Sequence, residues 1–261
     1  MKPHIYIGTS GWHYNDWIGT FYPPEVTGYQ ELKFISGHFN TVENNSSFYR
    51  IAGESTYKTW SRMTPPGYKF SIKLNRIITH INRLELNEVT RERTEYILKT
   101  TEVLGEKRGA LVIQLPASFG KDLVRLDAFL AFITAKNEEH GHGFDIAIEF
   151  RTKAWFSEDT YRILRAHDVA LVAAQSSRYP GAREMTAGFA YIRLHGPKEL
   201  FASKYSEAEL KEWAAYIRSI SNEAKRIYVY FNNDFHRYAI MNGTDLMRML
   251  NVPAPVPALG L

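Results

Sequence analysis

The stretch YVYFNNDF, residues 228–235, starts as a strand and ends as something else. Tyr, Val and Phe suit a pleated, packed segment, whereas two carboxamides and a carboxylate in a row do not. Alternate strand side chains point to opposite faces, so Val229 and Phe231 share one face and Tyr228, Tyr230 and Asn232 the other. A strand that is apolar on one face, polar on the other and frankly polar at its C-terminal end fits a closed barrel with a site at its mouth. The rest of the chain must supply the other strands.

Seven β-rich runs precede it, at residues 4–8, 41–45, 69–74, 110–115, 145–150, 170–175 and 190–195, with 227–231 as the eighth. Helical patterns lie between them, among them 54–63, 88–104, 122–136, 158–167 and 208–224. Ser206 with Glu209 three residues on has the form of a capping box at the start of the last of these. Strands alternating with helices imply a parallel sheet, and eight such strands in 261 residues imply closure into an α/β TIM-like (β/α)8 barrel. The expectation is one domain over residues 1–252 with a Pro-rich tail, PAPVPALGL, at 253–261. Residues 176–189 are short and broken by Gly and Pro, so the helix between strands six and seven is expected to be irregular or missing. A doubly wound open sheet is the alternative, but it needs no eighth strand and usually shows a Gly-rich nucleotide loop, which this sequence lacks.

Composition narrows the chemistry. With no cysteine, disulfides, zinc–thiolate sites and cysteine nucleophiles are excluded. Lys+Arg 32 against Asp+Glu 28 is too mixed for a nucleic-acid surface, though a net +4 suits an anionic small molecule. No apolar run approaches the ~20 residues of a membrane span, and MKPHIYIGTSGW lacks a signal-peptide core, so a cytoplasmic protein without membrane contact is expected. The oligomeric state is left open.

Because the apolar strand faces must meet the helices, the polar faces point into the barrel. They carry Ser10, Glu43 with Asn45, Ser71 with Lys73 and Asn75, Gln114, Glu149 with Arg151, Gln175, Arg193 with His195, and Asn232. Most sit near C-terminal strand ends, where such barrels build their sites. A layer of mutually paired polar groups can also do no more than set strand register, a reading that applies first to Lys73 and Gln114. It applies less well to Glu43, Glu149, Arg193 and His195 together, since burying that much charge without use is costly.

An ordered set of motifs, GTSGWHYNDWIGTFYP, FNTVENNSSFYR, ITH (78–80), VIQLP, IAIEFR, AYIRLHG and VYFNND, resembles the DUF72 (YecE-like) family over nearly the whole chain. The resemblance implies a TIM-type barrel, loosely comparable with sugar isomerases, and no established reaction; no catalytic residue is carried over from it. The roles expected from chemistry are these. Glu149, kept ionised by Arg151 and Arg193, is a base or nucleophile, and His195 or Glu43 the acid. Arg193 is the expected main anion contact, with His195, Lys198 and the start of the helix after Asn233 beside it. Trp12 and Tyr14 are the aromatic ligand contacts, while Trp17 and Phe21 plug the barrel top. Asn45, Lys73, His80, Gln114, Arg151, Asn232, Asn233 and Asp234 complete the ligand-binding set; His140 and His142 are expected to be solvated. No cofactor or metal is expected, because Lys73, Arg151 and Arg193 compete with a cation for Glu43, Glu149 and Asp234; Mg or Mn is the alternative. The function expected is turnover of a small polar ligand, sugar-like or phosphorylated. The alternatives are a metal-dependent phosphodiester hydrolase or nuclease, and a non-catalytic ligand-binding barrel.

Overall fold

Eight parallel strands close on themselves in the computed structural model, which describes residues 3–141 and 143–255. They are β1 (His4–Ser10), β2 (Thr41–Asn44), β3 (Lys69–Lys73), β4 (Arg108–Gln114), β5 (Asp145–Glu149), β6 (Ala170–Gln175), β7 (Phe189–Leu194) and β8 (Arg226–Phe231). Each strand pairs with the next, and β8 pairs with β1. The helices are α1 (Tyr29–Ile35), α2 (Ser46–Tyr49), α3 (Glu54–Met63), α4 (Glu88–Thr100), α5 (Leu123–Glu139), α6 (Glu158–Ala166), α7 (Glu207–Ser219) and α8 (Tyr238–Leu250). Residues 256–261 of the expected tail, and His142, lie outside the described residues.

Alternation along the strands divides the interior into two apolar clusters. Ile7, Val42, Ile72, Ile113, Ile148, Ile192 and Val229 face outward and pack with the helices. Ala110, Val112, Ala147, Val172, Tyr191, Tyr228 and Tyr230 face inward and form a separate, smaller cluster along the axis. Tyr230 shows how the axis stays satisfied, its hydroxyl meeting both Thr41 Oγ1 and Ser71 Oγ at 2.7 Å. The capping box at Ser206 forms with Glu209 as the spacing implied.

Between β6 and β7 there is no helix among the described residues. The segment instead holds itself to the barrel through Thr186, whose hydroxyl donates to Val169 O (2.7 Å) and accepts from Leu171 N (2.8 Å). Its backbone comes so close at Gly181 that a Cβ there would lie 2.1 Å from Ala174 O. Arg183 then lies 4.1 Å from the Trp213 ring of α7, covering surface that a helix would otherwise cover. One inward assignment is corrected. Ala174 pairs beside Arg193, so Gln175 points outward, where Trp213 Nε1 donates to its Oε1 at 2.6 Å.

Candidate functional site at the C-terminal mouth

The side chain on which the mouth is organised is Arg193 of β7, 1% exposed. Its guanidinium donates through Nη1 to Glu149 Oε2 of β5 and through Nη2 to Glu43 Oε1 of β2, the latter at 2.7 Å. Both carboxylates are otherwise filled. Glu43 accepts from Ser10 Oγ and from the Tyr191 hydroxyl (2.6 Å). Glu149 Oε1 accepts from Gln114 Nε2 (2.9 Å) and Arg151 Nε (3.0 Å). Burial alone would raise both carboxyls, but Arg193 and these donors override it and hold both below their usual range. Such a network is strongly coupled, because removing Arg193 would leave Glu43 buried without a cation and Glu149 with Arg151 alone.

Above this clamp lies a cavity of about 290 Å³, lined by Asn45, Phe48, Tyr49, Lys73, Gln114, Arg151, Arg193, Phe201, Asn232 and Asp234. Its polar lining is not satisfied by the protein. Asn45 Oδ1, Arg193 Nε and Asp234 Oδ1 are buried without a hydrogen-bond partner, as is Nε2 of His195, which lies behind the lining residues Asn232 and Phe201. The side-chain amine of Lys73 of β3 has, among the described residues, neither hydrogen bond nor ion pair; it sits 4.2 Å from the centre of the Phe48 ring. Burial, reinforced by Arg193 and Arg151 against the pull of Glu149 and Glu43, lowers its pKa to about 7.

Asp234 is the counterpart of opposite sign. Burial raises its carboxyl well above the usual value, with Glu43 adding and the Tyr14 hydroxyl and Arg193 opposing. The loop that presents it is built for the purpose. Trp17 Nε1 donates to Asp234 O (2.9 Å), His236 N donates to Asp16 Oδ2 (2.8 Å), and Arg237 donates to Thr20 O. His236 and Arg237 are both left-handed, at φ 50° and 55°. Two successive non-glycine residues in that region cost roughly 1–2 kcal/mol each, a strain the clamped loop sustains right beside Asp234.

The other expected residues divide plainly. His195 is buried; its Nδ1 lies 3.0 Å from Asn232 Nδ2 and its Nε2 3.7 Å from Glu149 Oε2. Burial lowers its pKa despite the neighbouring carboxylate, which leaves the imidazole neutral. His80 lies beside the cavity, edge-on to Phe48 and hydrogen-bonded to Thr79, with its pKa lowered to about 4 by burial, Lys73 and Arg151. Trp12 is not among the lining residues: it packs edge-on against Trp60 of α3, outside the strand ring. Tyr14 does not line the cavity either, but its hydroxyl, on Ser10 O, acts on Asp234 behind the lining, and its ring lies 4.5 Å from Trp17, itself a fully buried plug. Asn233 faces α8, donating to Ser203 O and Asn242 Oδ1 at 3.0 Å each. Lys198 is exposed and does not line the cavity. Arg193 is held by two carboxylates with only Nε unpaired, so the guanidinium with more N–H groups to spare is Arg151, which stacks on the Tyr179 ring at 4.3 Å and whose Nη atoms have no hydrogen-bond partner among the described residues. The aromatic rim consists of Phe48, Tyr49 and Phe201, which the sequence reading missed; FYR after NNSS was the available signal. Among the described residues no three His, Asp or Glu side chains gather as a metal site, and no helix is long and apolar enough to cross a membrane.

Comparison with known proteins places this geometry. The family model described as "Protein of unknown function DUF72" matches residues 6–259. The chain is 25% identical to the UPF0759 protein YunF of Bacillus subtilis, over 95% of each chain. It resembles the crystal structure of a DUF72 family protein from Thermotoga maritima with a TM-score of 0.81 at 28% identity, covering 95% of this chain and 99% of that one. A D-tagatose 3-epimerase-like protein shares the barrel more distantly, with a TM-score of 0.57 at 12% identity over 97% and 98%.

Proposed function

The chain belongs to the DUF72 family, and on that premise we propose that it is an enzyme that turns over a small polar ligand, sugar-like or phosphorylated, by acid–base chemistry at the C-terminal mouth. The observation that supports this most is the set of polar atoms left unpaired there. Buried donors and acceptors are almost always satisfied, and each unmatched one costs about 1–3 kcal/mol. Four in one place, on Asn45, Arg193, His195 and Asp234, suit hydroxyls and a carbonyl or phosphoryl oxygen better than any packing role.

Charge supports the same reading. Burial favours the protonated form of Asp234, which suits it to give a proton; Lys73, neutral in part near its lowered pKa of about 7, is suited to receive one. Glu43 and Glu149, expected from sequence as catalytic, sit beneath the floor with Arg193 and are better suited to holding the field than to moving protons. His195, neutral behind Phe201 and accepting at Nδ1 from Asn232, carries its proton on Nε2 and is suited to donate a hydrogen bond. Arg151 is the anion contact this arrangement favours, and the Phe48–Tyr49–Phe201 rim suits a ring edge. The likeness to a D-tagatose 3-epimerase-like protein carries the fold alone.

The test is solvent exchange. Incubation in deuterated water with a panel of aldoses, ketoses and their phosphates should place deuterium on carbon for one of them, read by NMR. Asp234→Asn should slow it by roughly 10²–10⁴-fold with folding retained. Exchange that EDTA removes and Mn²⁺ restores would replace this reading with the metal-dependent one. No exchange, with inorganic phosphate and every panel member failing to raise the melting temperature, would leave a non-catalytic barrel.

A further inference from the structure

We propose that Lys73 acts on its substrate covalently, its side-chain amine condensing with an aldehyde or ketone carbonyl in the mouth cavity to form an imine. This rests on the acid–base reading above and deepens it by naming the substrate class, a carbonyl compound with further oxygen substituents.

The geometry separates Lys73 from a structural lysine. It stands at the C-terminal end of β3, lines the cavity, and has no carboxylate or carbonyl partner among the described residues. Its amine lies over the face of Phe48 at 4.2 Å, a ring that keeps water from one side of it while its π face attracts the ammonium only weakly beside the full charges of Arg193 and Arg151. The charges facing it are Arg193 from β7 and Arg151 after β5, opposed by Glu149 and Glu43, with neutral His80 from the turn after β3. The two carboxylates that could stabilise the ammonium are already bound to Arg193. The amine is thereby available as a nucleophile near neutral pH, where an ordinary lysine has only about one part in 3,000 uncharged.

The cavity also holds what condensation needs. The amine lone pair forms a C–N bond to the carbonyl carbon, and the carbonyl oxygen takes the proton that Asp234 retains. The nitrogen returns a proton to the Asp234 carboxylate, giving a neutral carbinolamine. Asp234 then protonates its hydroxyl, the C–O bond breaks, water leaves, and the protonated imine gives its nitrogen proton back to Asp234. Amine plus carbonyl thus become imine plus water, with no oxidant or reductant, and hydrolysis by the reverse steps restores Lys73. Asn45, Asn232 and Gln114 surround the path with groups able to hold the substrate's remaining hydroxyls.

Reductive trapping tests this. Dihydroxyacetone phosphate and glyceraldehyde 3-phosphate serve as probes, each with cyanoborohydride near neutral pH, followed by intact-mass measurement and peptide mapping. The expected result is one adduct, heavier than the protein by the probe less one oxygen atom, located on Lys73. Formaldehyde replaces the probes in a second arm. Lys73 should then be labelled about tenfold faster than exposed lysines near neutral pH, the advantage shrinking as pH rises. Lys73→Met should lose the adduct while still melting cooperatively; should it fail to fold, the map of the unaltered protein decides. Adducts scattered over exposed lysines, with Lys73 among the slowest, overturn the proposal. Carbon-bound deuterium exchange without an adduct on Lys73 overturns the imine and leaves the acid–base reading standing. An adduct on Lys73 without exchange does the reverse.

Discussion

The two ends of the barrel are both polar and both hollow, yet they differ in one respect. At the N-terminal end Arg226 grips Asp145 with two hydrogen bonds of 2.6 Å, and Tyr228 donates to the same carboxylate at 2.9 Å. Lys69 there donates to the carbonyls of Glu106 and Arg108. The cavity at that end is about 400 Å³, larger than the 290 Å³ of the mouth. There Arg226 and Asp145 cancel, and Lys69 and Arg108 are held by backbone carbonyls. At the mouth, Arg193 consumes Glu43 and Glu149, and what remains is an amine without an acid and an acid without a base. Neither size nor polarity marks the site; the residue left over after pairing does.

The largest effect should come from removing the central cation at each end. Arg193→Met strands the buried Glu43 and leaves Glu149 with Arg151 alone, so it should cost about 3–5 kcal/mol, or prevent folding. Arg226 has a side chain 41% exposed, so Arg226→Met should cost about 1 kcal/mol or less. Urea unfolding of both measures the contrast, and equal losses would break it.

Asp234→Asn comes next. The folded state holds this proton more tightly than the unfolded chain, so its stabilising share is present below the ordinary value of 3.8 and is lost as pH rises through the higher folded value. The Asn variant should therefore melt above the parent at alkaline pH, with the gap closing towards acid. A gap independent of pH would mean that Asp234 is ionised in the fold.

Lys73→Met should have a smaller effect of opposite pH sense. Between about 7 and 10.5 the unfolded chain binds the extra proton, so the parent gains stability as pH rises across that window. The Met variant should melt a few degrees higher near neutrality, at about 2–4 °C per kcal/mol, and lose that advantage towards 10.5. The smallest effect is at the rim. Phe201→Ala should raise KM about fivefold with kcat little changed, provided Phe201 only covers the ligand; a matching fall in kcat would give it a part in the chemistry.

Much of the architecture was legible because the strand period is 2 and most strands are apolar on one face only. IAIEFR and YIRLHG assign Glu149, Arg193 and His195 to the inside without ambiguity. Strand β6, ALVAAQ, was the exception. Both of its faces are small and apolar, so its lone Gln175 was placed inward by analogy with its neighbours and turned out to meet Trp213. The aromatics of the first loop were misread for a related reason. A loop has no period, and nothing in GWHYNDW says that Trp12 folds back onto Trp60 while Phe48 and Phe201 rim the cavity.

By itself the sequence determined the eight strands, their closure, the inward set of polar side chains and the want of a helix between β6 and β7, because these follow from local periodicity and chain length. Only the tertiary structure decided which charges cancel. Arg193 meets Glu43 across 150 positions of chain and Glu149 across 44, and that choice of partners leaves Lys73 and Asp234 unpaired. Ionisation responds to distance and burial in space, and neither is encoded in the spacing of residues along the chain.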